Sequence, residues 1–323
     1  MDKLNQREIL LQAYHHKRTG YVPSAFNVDI CWPSVLNEGR PKFGYGKYVD
    51  DWGVGWEYIE GQPGAINDES AQPVLTDVTQ WHKQVKFPDP DAYDWVSAAE
   101  KDTAKWDRDN NISNVIIICG IWERFYMLCG FQEALCNLLI EPEATYDCLK
   151  AIAEHRLKYI DYIAKYYKPD KIQVHDDYGS EKALLFSADT WRELIKPHLK
   201  RLVDACHSYG ILYEHHSCGY IVPLIKDFIE LGIDGWNTVQ YTNDPPKLAK
   251  QYHDRFTLVG GLNDRLFVDP KATDEDKKAN IIQTIQLAAE YGSWVVRPFP
   301  GMEEKWIRFL RESIDSFNNA VCV

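Results

Sequence analysis

The chain has 323 residues, a formal net charge of −12, and 11 Trp, 19 Tyr and 12 Phe. That length buries a large core, and the aromatic content describes an ordered globular protein. The acidity argues against nucleic acid and against an anionic membrane surface, which need clustered Lys and Arg, and no apolar run approaches the ~18 residues that span a bilayer.

The opening MDKLNQREILLQAYHHK alternates charge with apolar side chains and lacks a signal-peptide core, so a cytoplasmic location is expected. GYVPSAFN (20–27) reads as the first strand. Residues 28–113 are rich in Trp, Pro and Gly with weak periodicity, and read as a long insertion holding one further strand. From residue 114 one grammar repeats. NVIIIC (114–119) is a β-branched run suited to a strand covered on both faces. The helix PEATYDCLKAIAEHRLKYIDYIAKYY follows, with Tyr146, Leu149, Ile152, Ala153, Tyr159, Ile160 and Ile163 near helical spacing. Then come the strand KIQVH (171–175) and a helix expected to bend at Pro197. ILYEHH, IDGWNTV, FTLVGG and SWVVRP are the later strands, separated by helices, with a last helix from about Met302. Gly210, Gly232 and Gly292 each end a helix just before a strand, as left-handed caps do. Such regular alternation means a parallel sheet, and at this length the expected fold is α/β: a (β/α)8 TIM barrel with a long N-terminal insertion, one domain over 1–323. An open doubly wound sheet is the alternative, but no Gly-rich phosphate loop follows any strand.

In such a barrel the strand C-termini carry the chemistry, and polar residues gather there. Trp122, Glu123 and Arg124 follow NVIIICG; His175, Asp176, Asp177 and Tyr178 end KIQV; Asn237 and Gln240 end IDGW; Asn263 and Asp264 follow LVGG; Arg297 ends the last strand. EHHSCG (214–219) ends another. Residues two apart share a strand face about 6.5 Å apart, so His216 and Cys218 point together while His215 points to the helix layer. Imidazole and thiolate together suit Zn²⁺. Of eight cysteines (Cys31, Cys119, Cys129, Cys136, Cys148, Cys206, Cys218, Cys322) Cys218 alone has a ligand-like setting; the others read as reduced, mostly buried thiols. Each polar group also has a plain structural reading. Glu123 and Arg124 suit a loop ion pair, Asp176 or Asp177 a helix cap, and Gln240 and Asn263 the satisfaction of turn backbone.

The stretch VHDDYGSEKALLFSADTWRELIKPHLKRLVDACHSYGILYEHHSCGYIVPLIKDFIELGIDGWNTVQ, followed by LVGGLND, resembles the uroporphyrinogen decarboxylase superfamily, with DDWGVGW (50–56) as a weaker echo. The likeness is to its methyltransferase branch, which includes corrinoid-dependent methyltransferases and the methyltransferase components of O-demethylases. It implies a (β/α)8 barrel, a small, methoxylated aromatic or similar methyl donor, and a corrinoid carried by a separate protein. It also implies a Zn²⁺ site in which His216 and Cys218 match the first two ligands. The branch's third ligand is a later Cys, and SWVVRPFPGM has none, so Asp176, His175 or Glu123 is expected to replace it. Asp176 or Glu123 would serve as the acid. Trp122, Tyr178 and Trp236 would stack on an aromatic donor, and His175, Asp177, Gln240, Asn263 and Arg297 would line the substrate site, Arg297 pairing with a substrate carboxylate. The alternatives are a porphyrinogen-type decarboxylase, a zinc-dependent thiol methyltransferase, and a non-catalytic barrel that binds a small ligand. The first lacks its Arg-rich motif, since YVPSAFNVDICWPS carries no Arg.

Overall fold

The computed structural model describes residues 4–39, 46–60, 65–68 and 70–321; Cys322 lies outside them. Ten strands are described: β1 Val28–Cys31, β2 Lys47–Val49, β3 Gly55–Glu57, β4 Ile66–Asn67, β5 Ile112–Ile117, β6 Lys171–His175, β7 Leu212–His216, β8 Gly235–Val239, β9 Thr257–Gly260 and β10 Trp294–Val295. Seven of them form one curled parallel sheet in the order β1-β5-β6-β7-β8-β9-β10. A parallel bridge joins Ser24 to Val296, with Ala25 N–H donating to Val296 and Val296 N–H to Pro23, so the residues just before β1 meet the far edge of the sheet. Helices alternate with the strands, giving a TIM-barrel-like α/β fold.

Three expectations shift. The first strand is Val28–Cys31 rather than 20–27, because a 3-10 turn at Ala25–Asn27 interrupts the chain after the Ser24 bridge. Of the other strands described between 28 and 111, β2, β3 and β4 pair antiparallel in a separate sheet, so no eighth parallel strand is found among the described residues. The expected bend near Pro197 is a break at Ile195 between helices Ala188–Leu194 and Lys196–Ser208, with Pro197 in the first turn of the second. Gly232 and Gly292 cap their helices at positive φ, and Gly210 follows helix Lys196–Ser208 at φ +70°. All three precede a strand, at the end of the sheet opposite the polar strand ends.

The helix Gln6–Tyr14 covers that opposite end. Leu10, Ala13 and Tyr14 pack on Ile112, Val259 and Val295. Its Tyr14 hydroxyl joins a buried group inside the sheet, where Lys171 Nζ lies 2.7 Å from Glu214 Oε2 and 2.9 Å from the Tyr14 oxygen. Tyr14 O–H donates to the same carboxylate.

The insertion is fastened by buried charge. Arg124 Nη1 meets Asp50 Oδ2 at 2.7 Å and Arg156 Nη1 meets Glu38 Oε2 at 2.6 Å, with all four side chains sealed from water. Tyr159 O–H and the Trp52 indole N–H also donate to Glu38, and both guanidinium groups lie over the Trp52 ring, 4.9 and 5.2 Å from its centroid. Asp50 turns the segment by accepting from the backbone of Trp52 and Val54 and from the Trp56 indole. DDWGVGW is thus a structural motif here, and Arg124 pairs with the insertion rather than with Glu123. Removing one member of a buried pair strands the other charge, which typically costs about 3–5 kcal/mol. Arg124→Met is therefore expected to lower the urea-unfolding free energy by about that amount; a change below about 1 kcal/mol would contradict the anchoring role.

Candidate active site at the strand C-termini

Burial alternates with period two where β6 and β7 end. His175, Asp177, His216 and Cys218 are half-buried at the mouth, whereas Asp176, Tyr178, His215 and Ser217 are buried. His215 stacks on Tyr178 at 5.0 Å and meets Phe228 edge-on at 4.8 Å, in the helix layer. His216 turns inward. Its Nδ1 lies 2.9 Å from Asn237 Oδ1, and the same oxygen accepts from Arg297 Nη1 at 2.7 Å. Arg can only donate, so this atom of Asn237 must be the carbonyl oxygen. His216 Nδ1 therefore carries the proton, and Nε2 keeps a lone pair. That lone pair faces Cys218 Sγ at 3.5 Å and Asp177 Oδ1 at 3.8 Å. Among the described residues, Asp177, His216 and Cys218 are the set of His, Cys, Asp and Glu ligand atoms gathered within 4.8 Å of one another.

Two loops lock this arrangement. Asp177 Oδ1 accepts from Cys218 N–H at 2.7 Å, and Gln240 Oε1 accepts from Gly219 N–H at 2.5 Å. Gly219 has φ +78°, and a Cβ there would sit 2.3 Å from the Gly179 backbone. The loops cross where neither can carry a side chain. Beside the crossing a cleft of about 270 Å³ is lined by Gly179, Ser180, Cys218, Gln240, Asp264 and Arg265.

Burial governs the electrostatics. It raises the Cys218 thiol, with Asp177 and then Glu123 adding to the effect. It lowers His216 against the pull of Asp177, and it holds His175 well below the ordinary histidine range. The two rings stack 4.0 Å apart. Glu123 is raised well above the carboxylate range by burial and then by Asp177 and Asp176. Its Oε1 accepts from Asp177 N–H at 3.1 Å. Asp176 is raised to about 6 by burial, opposed by hydrogen bonds. It accepts from the backbone N–H of Ile121, Trp122 and Glu123 and from Tyr178 O–H. Gly120 makes room for it, since a Cβ there would lie 2.7 Å from its carboxyl carbon.

Several sequence expectations change accordingly. Asp176 caps the helix Trp122–Cys129 with its oxygens turned away from the mouth, so its geometry is that of a cap rather than an acid. The carboxylate beside His216 and Cys218 is Asp177, one residue on, rather than Asp176, His175 or Glu123. Trp122 and Tyr178 are fully buried in ring packing, and Trp236 is fully buried with its indole N–H on the Ser217 carbonyl, so none offers a stacking face to a ligand. Gln240 holds the Gly219 backbone. Asn263 lies before helix Asp264–Val268, with its N–H donating to Asn280 and its own side-chain oxygen unpartnered. Asn237, which sets the His216 tautomer, was visible only as one polar residue in IDGWNTV. Gln173, whose amide reaches His175 Nε2 at 2.7 Å and whose oxygen accepts from Asn114, was missed. Counting back by two from His175 would have flagged it.

The family model described as uroporphyrinogen decarboxylase (URO-D) matches residues 53–297. No curated protein matches the chain. A methyltransferase from Methanosarcina mazei is similar in structure, with a TM-score of 0.68 at 14% identity, covering 97% of this chain and 99% of that one. At that identity the likeness speaks for the fold alone. A Xaa-Pro dipeptidase with bound methionine (TM-score 0.26, 13% identity, 55% and 45% coverage) carries no argument. Neither does a dihydropteroate synthetase with a product (0.29, 13%, 82% and 80%). No helix of the described residues is long and apolar enough to cross a membrane.

The loop crossing makes a direct expectation. In Gly219→Ala the new methyl group must push the Gly179 loop aside, moving Cys218 away from Asp177. The variant should lose more than about 1 kcal/mol of stability, in the range of backbone strain, and Cys218 should react faster with a thiol reagent. Unchanged stability and thiol reactivity would show that the crossing does not position the cysteine.

Proposed function

The chain belongs to the uroporphyrinogen decarboxylase (URO-D) family, and from that premise we propose that it is a methyltransferase, moving a methyl group from a small donor to a corrinoid carried by a separate protein. The observation that supports this reading is the convergence of Asp177, His216 and Cys218 beside the buried carboxyl of Glu123. A porphyrinogen decarboxylase must receive many carboxylates, and the segment that opens the sheet, YVPSAFNVDICWPS, has no Arg to do so.

The donor set fits a zinc ion. Thiolate, imidazole and carboxylate are all zinc ligands, and His216 is held from behind by Asn237 so that Nε2 is the free nitrogen, the support that metal-binding imidazoles use. Burial and the neighbouring Asp177 carboxylate raise the Cys218 thiol, and a cation bound beside it would favour the thiolate. Zinc bound there would polarise the oxygen of a methyl ether.

The chain's own residues do the rest. Alkoxide is a poor leaving group, so the ether oxygen needs a proton as its bond to the methyl carbon breaks. Glu123, whose buried carboxyl accepts from the Asp177 N–H beside the cluster, is placed to donate it. The methyl carbon passes to the acceptor and the oxygen leaves as an alcohol. Asn237 and Arg297 hold the His216 tautomer throughout.

Metal content and turnover separate these roles. Wild-type protein should carry about one zinc per chain, and Asp177→Asn and Cys218→Ala should each lose most of it, since each removes one of three ligands. Full zinc occupancy in both variants would overturn the metal assignment. Glu123→Gln should retain the metal and lower kcat about 10²–10⁴-fold with little change in KM, the range for a lost general acid. A wild-type rate in that variant would remove Glu123 from the chemistry.

A further inference from the structure

At the strand ends, Arg297 is a cation whose strongest opposing charge, that of Glu214, is already held by another cation. It follows β10 and is half-buried, and its one hydrogen bond among the described residues runs from Nη1 to Asn237 Oδ1. Among the described residues it makes no ion pair, whereas Arg124 and Arg156 each meet a carboxylate. Those two also leave nitrogens sealed and unpartnered; Nε and Nη2 of Arg297 are not sealed. They form the free edge of the guanidinium fork. Glu214 is engaged with Lys171 Nζ at 2.7 Å and with Tyr14. Asp177 faces His216 and Cys218. In a protein of net charge −12, an arginine with no ion-pair partner among the described residues adds positive potential at the strand ends, where it would draw an anionic ligand.

We propose that the methyl donor is a small carboxylic acid whose carboxylate docks on the Nε/Nη2 edge of Arg297. This rests on the methyltransferase reading of the same site. A carboxylate matches that edge bidentately, through two charge-assisted hydrogen bonds that lysine cannot reproduce. Asn237 Oδ1 is shared by Arg297 and His216, so the anion subsite and the Asp177/His216/Cys218 cluster lie on either side of one imidazole ring. The donor therefore places its methylated heteroatom a few bonds from its carboxylate. A long or neutral ether would leave Arg297 desolvated and unpaired, which is the penalty that gives such a site its selectivity.

The test is calorimetric binding of methoxyacetate, methoxypropionate and methoxybenzoate, each against its uncharged amide, to the zinc-loaded protein. At least one acid should bind about tenfold or more tighter than its amide, as expected for hydrogen bonds to a charged group. Arg297→Gln should bring acid and amide to within about twofold at an unchanged melting temperature, and Arg297→Lys should keep part of the preference. Acids and amides binding alike, no acid binding at all, or a preference that survives Arg297→Gln would each overturn the proposal. Methyl transfer by the wild-type protein from a neutral ether as fast as from its acid counterpart would refute the carboxylate subsite and leave the methyltransferase reading intact. Acid-selective binding without any methyl transfer would do the reverse.

Discussion

The two-residue period of a β-strand separates the reactive groups of this protein from those that hold them. Along β6 and its extension, Lys171, Gln173, His175 and Asp177 fall on one face, and Ile172, Val174, Asp176 and Tyr178 on the other. The register pairs His175 with His216 and His216 with Asn237, so neighbouring strands present matching layers. Neighbours in sequence thus have unrelated tasks. Asp176 ends a helix and Asp177 faces the mouth. His215 packs among aromatic rings and His216 faces Cys218. A one-residue slip in either strand would exchange every one of these roles.

The same alternation explains what was legible in the sequence. From residue 114 onward the strands are apolar runs, and the helices carry clear stripes and glycine ends, because both faces of the sheet are covered and local pattern reports the environment. The pairing of His216 with Cys218 and the outward turn of His215 follow from the period alone. The choice between Asp176 and Asp177 does not. It depends on where the helix after β5 begins, because the backbone N–H groups of Ile121, Trp122 and Glu123 capture Asp176 from a segment more than fifty residues away in sequence. Register between strands is likewise invisible in one chain, so Asn237 read as an isolated polar residue.

The insertion was illegible for a different reason. Its strands are two or three residues long, too short for any period to show. What organises it is buried charge acting at long range: Glu38 and Arg156 are 118 positions apart. An acidic residue among Trp and Gly suggests a loop, and nothing local reveals that it is a buried counter-ion. The aromatic rings misled similarly. Trp122, Tyr178 and Trp236 flank the strand ends in sequence but turn outward, where the helix layer needs large apolar volume.

A carboxylate in place of a second thiolate changes what the Asp177, His216 and Cys218 set favours. Thiolates are soft donors that spread charge onto a metal, and a thiolate-rich set suits the handling of sulfur. Exchanging one thiolate for a carboxylate keeps the formal charge of the set and leaves a harder, more electrophilic ion, better matched to an oxygen. Glu123 points the same way. A carboxyl group able to give a proton beside a bound ion would serve an oxygen leaving group, which needs one, but not a thiol, which must lose one. Ligand hardness and proton placement both involve Asp177, which brings the carboxylate to the set and adds to the burial that raises Glu123. Both would suit an ether as methyl donor better than a thiol as methyl acceptor.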